Sequence, residues 1–159
     1  MVDPLAHFQA LAERTGAFVT SEEATQEPLV HPFEQRNFHP QIVSVSRKLF
    51  DDGHYSQATF EALKRLDREV SKLSGVQESG FKLMMQAFNE AKPLLKLNKL
   101  QNASDQDEQL GMKHIFAGAM SAIRNPRAHE VLTDQIDLCL DHLSVASCLF
   151  RVLDARPPA

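Results

Sequence analysis

Apolar positions recur along most of this chain at intervals of three, four and seven residues, the period of helices with one buried face. Leu5, Phe8, Leu11 and Ala12 give a short amphipathic helix over 4–15, and Thr15 to Pro32 reads as a linker rich in Thr, Ser, Glu and Pro. From Pro40 the pattern strengthens. Ile42, Val45 and Leu49 form one stripe, ended by Gly53, and a second helix over 55–73 carries Tyr55, Ala62, Leu66, Val70 and Leu73 before Gly75 stops it. A shorter segment, 81–89, holds Phe81, Met84, Met85 and Phe88. Residues 90–104 show no period and carry Lys92, Lys96 and Lys99 against Glu90, a length of connection that is often functional. This loop is either a solvated connection or a flap that touches nucleic acid.

Ser104 with Asp107 resembles a capping box, and the helix it opens places Met112, Ile115, Phe116, Ala119, Met120 and Ile123 on its buried side. Gly111, Ala117, Gly118 and Ala122 keep that helix thin. The last helix, about 134–154, has one stripe through Ile136, Leu140, Leu143, Phe150 and Leu153. A second runs through Leu138, Val145, Leu149 and Val152, which predicts burial on two sides. No segment alternates like a strand. The fold class is all-α, a bundle of about four main helices with short additional ones. The domain boundary falls near Gln35, leaving 1–35 as an acidic helix and linker and 36–159 as the helical body.

Length and charge narrow the function. The chain of 159 residues suits one ordinary domain, and 43% apolar with 24% charged residues is a globular composition. No apolar run approaches a membrane span, and the N-terminus lacks the basic flank and apolar stretch of a secretory signal. Two cysteines, Cys139 and Cys148, nine positions apart on one helix, face opposite sides and do not suit an internal disulfide. These features predict a cytoplasmic location and no membrane partner. The formal charge of −4 conceals a −5 N-terminal segment, residues 1–34, so the remainder carries +1. A broad phosphate-binding surface is therefore absent from the totals, and any phosphate contact has to be local.

The richest local chemistry lies between the last two long helices, at Arg124, Asn125, Pro126, Arg127 and His129. Proline disfavours the helical conformation of the residue before it, so the helix should stop at Asn125, with Asn125 as N-cap and Pro126 opening a new turn. In an unbroken helix Arg124 and His129 would lie roughly 140° apart, five steps of about 100°. The break is what would let both reach one point. A guanidinium forks onto phosphate oxygens, free amides at a helix start attract anions, and an imidazole moves protons near neutral pH. Such a set needs no metal or cofactor to cleave RNA through its 2′-hydroxyl. The plainer reading is that Arg124 pairs with an acid and His129 packs or caps.

The string from Arg124 to His129 resembles the Arg-x(4–6)-His signature of the HEPN superfamily. The chain also resembles the Ymh-type conserved hypothetical family within it, through Leu49 to Tyr55 with Ala58, Gly80 with Leu83, Met84, Ala87 and Phe88, and Phe116 to Ala119 running into Arg124–His129. The likeness spans about 39–155. It implies a HEPN-like bundle in which Arg124 and His129 are the catalytic pair and Asn125 the polar residue that follows the arginine. It further implies a homodimer with the motifs facing across the two-fold axis, RNA as substrate, and a toxin or phage-defence setting with an antitoxin or defence-complex partner. Arg127, His54 and Tyr55 are the candidate substrate contacts, although His54 and Tyr55 equally suit a structural turn. The alternative is a non-catalytic HEPN module that binds nucleotide, RNA or protein. Glu61 with Lys64 and Arg65 is one residue short of a further HEPN motif and receives no role. Asp134, Asp137 and Asp141 share a helix face and read as solvated.

Overall fold

The computed structural model describes residues 30–129 and 132–158, so the N-terminal helix expected over 4–15 and most of its linker lie outside the described residues. Two units divide the chain, Met1–Gln35 and Arg36–Ala159. The second contains α1 (Pro40–Asp51), α2 (Tyr55–Ser74), α3 (Gly80–Ala87) and α4 (Ala103–Ala119). A π-helical turn (Met120–Arg124), α5 (Asn125–His129) and α6 (Ile136–Asp154) complete it, and no strand occurs among the described residues. The architecture is all-α. No described helix is long and apolar enough to cross a membrane.

Helix α2 is the centre, packing on α1, α3, α6 and the π turn. Its apolar stripe is fully buried at Ala62, Leu63, Leu66 and Val70. Burying a side chain of that size stabilises by about 1.5–3 kcal/mol relative to exposure, which is why the stripe dictates the helix's orientation. Gly75, at φ +74°, closes α2 with its amide on the Ser71 carbonyl, 2.9 Å.

In α1 the His39 side chain accepts the Gln41 amide, and Pro40 sits where a helix has no need of its N–H. The buried positions of α1 are Ile42, Ser46 and Phe50, one residue round from the expected stripe. Ser46 is tolerated there because its hydroxyl donates to the Ile42 carbonyl, 2.6 Å. Arg36 (to Asp141, 2.7 Å) and the His39 amide (to the Ser147 hydroxyl, 2.7 Å) fasten the start of this unit to α6.

Three expectations need correction. Helix α4 starts at Ala103, capped by Asn102, whose side chain accepts the Asp105 amide at 2.9 Å; the cap is not Ser104. The buried face of α4 runs through Gln109, Lys113, Phe116, Ala117 and Ala119, which leaves Ile115 52% exposed. Both polar residues on that face have partners: Gln109 in the 88–102 connection and Lys113 on Glu90, and that bond holds the Glu90 carboxyl below its ordinary range. Helix α6 buries one broad face, Cys139, Leu140, Leu143, Ala146, Leu149, Phe150 and Leu153, and not two, because Leu138 stays 45% exposed. Cys139 is buried and Cys148 exposed, both free, and burial pushes the Cys139 thiol up to about 11.

Candidate functional site

The helix does not break at Pro126. Asn125 has helical angles, φ −64° and ψ −43°, and its amide reaches back five residues to the Met120 carbonyl. That wider loop is a π turn, and it shifts the hydrogen-bond ladder by one residue just where proline offers no N–H and its ring would strike the preceding turn. The Ile123 carbonyl receives a donor from Arg127 Nη1, 2.7 Å. Asn125 is therefore not an N-cap, and the free helix start expected at Pro126 does not exist. π turns of this kind concentrate at functional sites.

Three chains of contact surround the turn. Arg124 Nη1 donates to Asn125 Oδ1 at 3.1 Å, and its guanidinium lies 5.7 Å from the centre of the Phe60 ring. Arg124 Nε is buried and has no hydrogen-bond partner. The guanidinium thus carries unused donor capacity.

Opposite it stands Gly80, the first residue of α3. Its φ of +64° suits glycine, and a Cβ there would lie 3.7 Å from Asn125 Oδ1 and 3.9 Å from Arg124 Nη1. The Gly80 amide donates to the buried carboxylate of Asp67 on α2, 2.6 Å. Asp67 was not anticipated as a site residue. Its signal in the sequence is an acid on the buried side of α2, between Leu66 and Val70, where a carboxylate persists only with a partner.

Arg127 is committed inside the chain. Its Nε and Nη2 meet both oxygens of Asp134 at 2.8 and 2.7 Å, and Nη2 lies 3.3 Å from His142 Nδ1. Asp134 therefore belongs to the turn before α6, paired and buried, and is not a solvated member of an α6 face. The pair ties α5 to α6, so Arg127 positions the turn. It also lines a cleft of about 670 Å³ with His54, Tyr55 and Phe60, which brings all three expected substrate contacts to one recess. His54 precedes α2 with no side-chain cap bond, and the Tyr55 ring meets Phe50 edge-on at 5.1 Å.

His129 ends α5, exposed, with no hydrogen-bond or ion-pair partner among the described residues. Because the helix continues, Arg124 and His129 project about 140° apart within one chain. Among the described residues no group of three metal-ligating side chains gathers.

A family model described as a protein of unknown function, Hypoth_ymh, matches residues 36–153. The chain belongs to that family. No curated protein and no solved structure matches it. The Hypoth_ymh match begins at the same residue as the second unit, and it contains the cleft, the π turn and α5.

Proposed function

We propose that this chain is a HEPN-type, metal-independent endoribonuclease acting as a homodimer in the cytoplasm, in the manner of a toxin or phage-defence effector under an antitoxin or defence-complex partner. One observation carries the reading: among the described residues, the buried Nε of Arg124 beside Asn125 has no hydrogen-bond partner, and the exposed His129 five residues on has none either. In the proposed reaction His129 takes the proton of a ribose 2′-hydroxyl. The 2′-oxygen attacks phosphorus, the bond to the 5′-oxygen breaks, and Arg124 offsets the charge on the phosphoryl oxygens. The leaving oxygen is protonated by a second imidazole, giving a 2′,3′-cyclic phosphate and a 5′-hydroxyl.

The angle between the two side chains makes the dimer a requirement of this scheme. Arg124 of one copy meets His129 of the other, and a two-fold axis supplies two such sites. Exposed Gly111, Ile115 and Gly118 on α4, with Ala122 in the π turn, give a thin face on which a second copy can approach.

RNA incubated with wild type, Arg124→Ala and His129→Ala in EDTA tests the activity. Either variant alone is expected to be inactive. An equal mixture is expected to stay inactive as well, since a mixed dimer keeps a single His129 and the scheme uses the imidazoles of both copies. Cleavage that survives in both variants, or that EDTA abolishes, defeats the proposal. The second reading, a non-catalytic module, is favoured by the same 140° separation. It expects RNA or nucleotide binding that weakens with Arg124→Ala and no strand scission under any condition.

A further inference from the structure

The first turn of α3 lies beside Arg124 and Asn125 at Gly80, and the outward face of α3 leads away from them. Beyond Gly80 that face carries Phe81, 48% exposed, then Lys82 and Met85, and it lines a recess of about 750 Å³ with Lys92 and Leu94. Leu94, 55% exposed, is also the wall of a second recess of about 850 Å³ whose rim holds Lys96, Lys99 and Arg156. The two recesses meet at Leu94 and together run from the outward face of α3 across the 88–102 connection.

Their charge is mostly positive. Lys82, Lys92, Lys96 and Lys99 are exposed, and none has a carboxylate within ion-pair distance among the described residues. Two acids stand in the two recesses, Glu78 and Asp154, the latter 2.9 Å from His39 Nε2, against four lysines and Arg156. In a body whose total is near zero, this is a local concentration of unpaired cations beside an exposed aromatic ring.

The lysines also stand on ordered backbone. Asn89 Oδ1 accepts the amides of Ala91 and Lys92 at 3.0 and 2.9 Å, and Asn98 Oδ1 accepts that of Leu100 at 3.0 Å. Leu95 and Leu97 are buried, so Lys96 between them points outward. A polyanion binding here would not have to order a floppy loop first, which removes much of the entropic cost of association.

We propose that this surface, from Phe81 at the start of α3 to the 91–99 segment, is the track that holds single-stranded RNA bound for the Arg124 site. Cations spaced along a groove with an aromatic surface for a base to stack on are what single strands use. This inference rests on the proposed ribonuclease reading for its direction, but it concerns binding and has its own readout.

The probe is a fluorescently labelled single-stranded 2′-O-methyl oligouridylate, which lacks the reacting hydroxyl. Fluorescence anisotropy is expected to show salt-sensitive binding to the full chain. Lys92→Gln and Lys96→Gln should each flatten the plot of log affinity against log salt by about 0.7, and Phe81→Ala should weaken binding by about 5- to 150-fold. Lys48→Gln, on α1 and outside the groove, should change nothing. No binding by wild type, or equal binding by the groove variants, overturns the track. So does preferential capture of a polyglutamate peptide, or duplex binding as tight as single-strand binding. Should wild type cleave no RNA while the groove variants still lose the probe, the track stands and the ribonuclease reading falls. Should cleavage occur and the groove variants bind the probe unchanged, the reverse holds.

Discussion

Arg127 and Asp134 form a two-pronged ion pair across the turn between α5 and α6, with side chains only 6% and 5% exposed. Removing one partner strands the other charge away from water. Asp134→Asn or Arg127→Met alone should therefore cost about 3–5 kcal/mol. The double variant Arg127→Met with Asp134→Leu should cost much less, since neither buried charge remains. Urea unfolding of the three variants decides it; equal and additive losses would mean that the pair does not act as a unit.

His142 shares this pocket, and its pKa lies below the ordinary value. Burial is the main cause and the Arg127 cation the second, opposed by Asp134 and Asp141. The folded chain thus resists a proton that the unfolded chain accepts near pH 6.5. The contribution of His142 to stability is fully present above that pH and falls as the pH drops below it toward the folded value. Urea midpoints measured between pH 7.5 and 5.5 should decline on acidification, and His142→Gln should flatten part of that decline. An unchanged slope in the variant would remove His142 from the account.

Much of this architecture is legible from apolar spacing alone. Helices α1, α2, α4 and α6 fall within a few residues of where the periodicity puts them, because burial of stripes such as Leu66 and Val70 dominates their energetics. What spacing misses are the polar groups that the core has satisfied. Gln109 and Lys113 look like the outer face of α4, and assigning them there turns the helix and wrongly buries Ile115. The proline rule failed at Asn125 for a related reason. It weighs only the next residue, whereas the π turn and the Arg127 donor on the Ile123 carbonyl absorb the conflict. The Arg124–Asn125 neighbourhood was visible in the sequence. The Gly80 and Asp67 contacts that support it join residues far apart along the chain, and single-sequence spacing does not report such pairs.

Gln109 is expected to govern the order of the 88–102 connection. Its side-chain oxygen accepts the Leu97 amide at 2.9 Å, and its nitrogen donates to the carbonyls of Leu95 and Phe88 at 3.0 and 3.3 Å. Gln109→Leu keeps the volume and deserts three backbone groups, each costing about 1–3 kcal/mol if it stays buried. The connection is more free than a core to move and rehydrate, so faster hydrogen exchange at Leu95 and Leu97 should accompany the loss. Unchanged protection there would show that the loop holds itself.

Gly80 and Gly75 share a positive φ, +64° and +74°, yet differ in what stands beside them. Alanine at either site pays the left-handed penalty, about 1–2 kcal/mol. The contacts at Gly80, 3.7 and 3.9 Å, are ordinary van der Waals distances, so one methyl group fits, while Gly75 faces open space. Gly80→Ala and Gly75→Ala should consequently lose similar stability. A longer side chain separates them, because leucine at Gly80 has to push aside Asn125 or Arg124. In a double-mutant cycle, Asn125→Ala should relieve part of the cost of Gly80→Leu, with a coupling of about 0.5–3 kcal/mol, and should leave the cost of Gly75→Leu untouched. Zero coupling at Gly80 would mean that the α3 start and the residues Arg124 and Asn125 are not packed together.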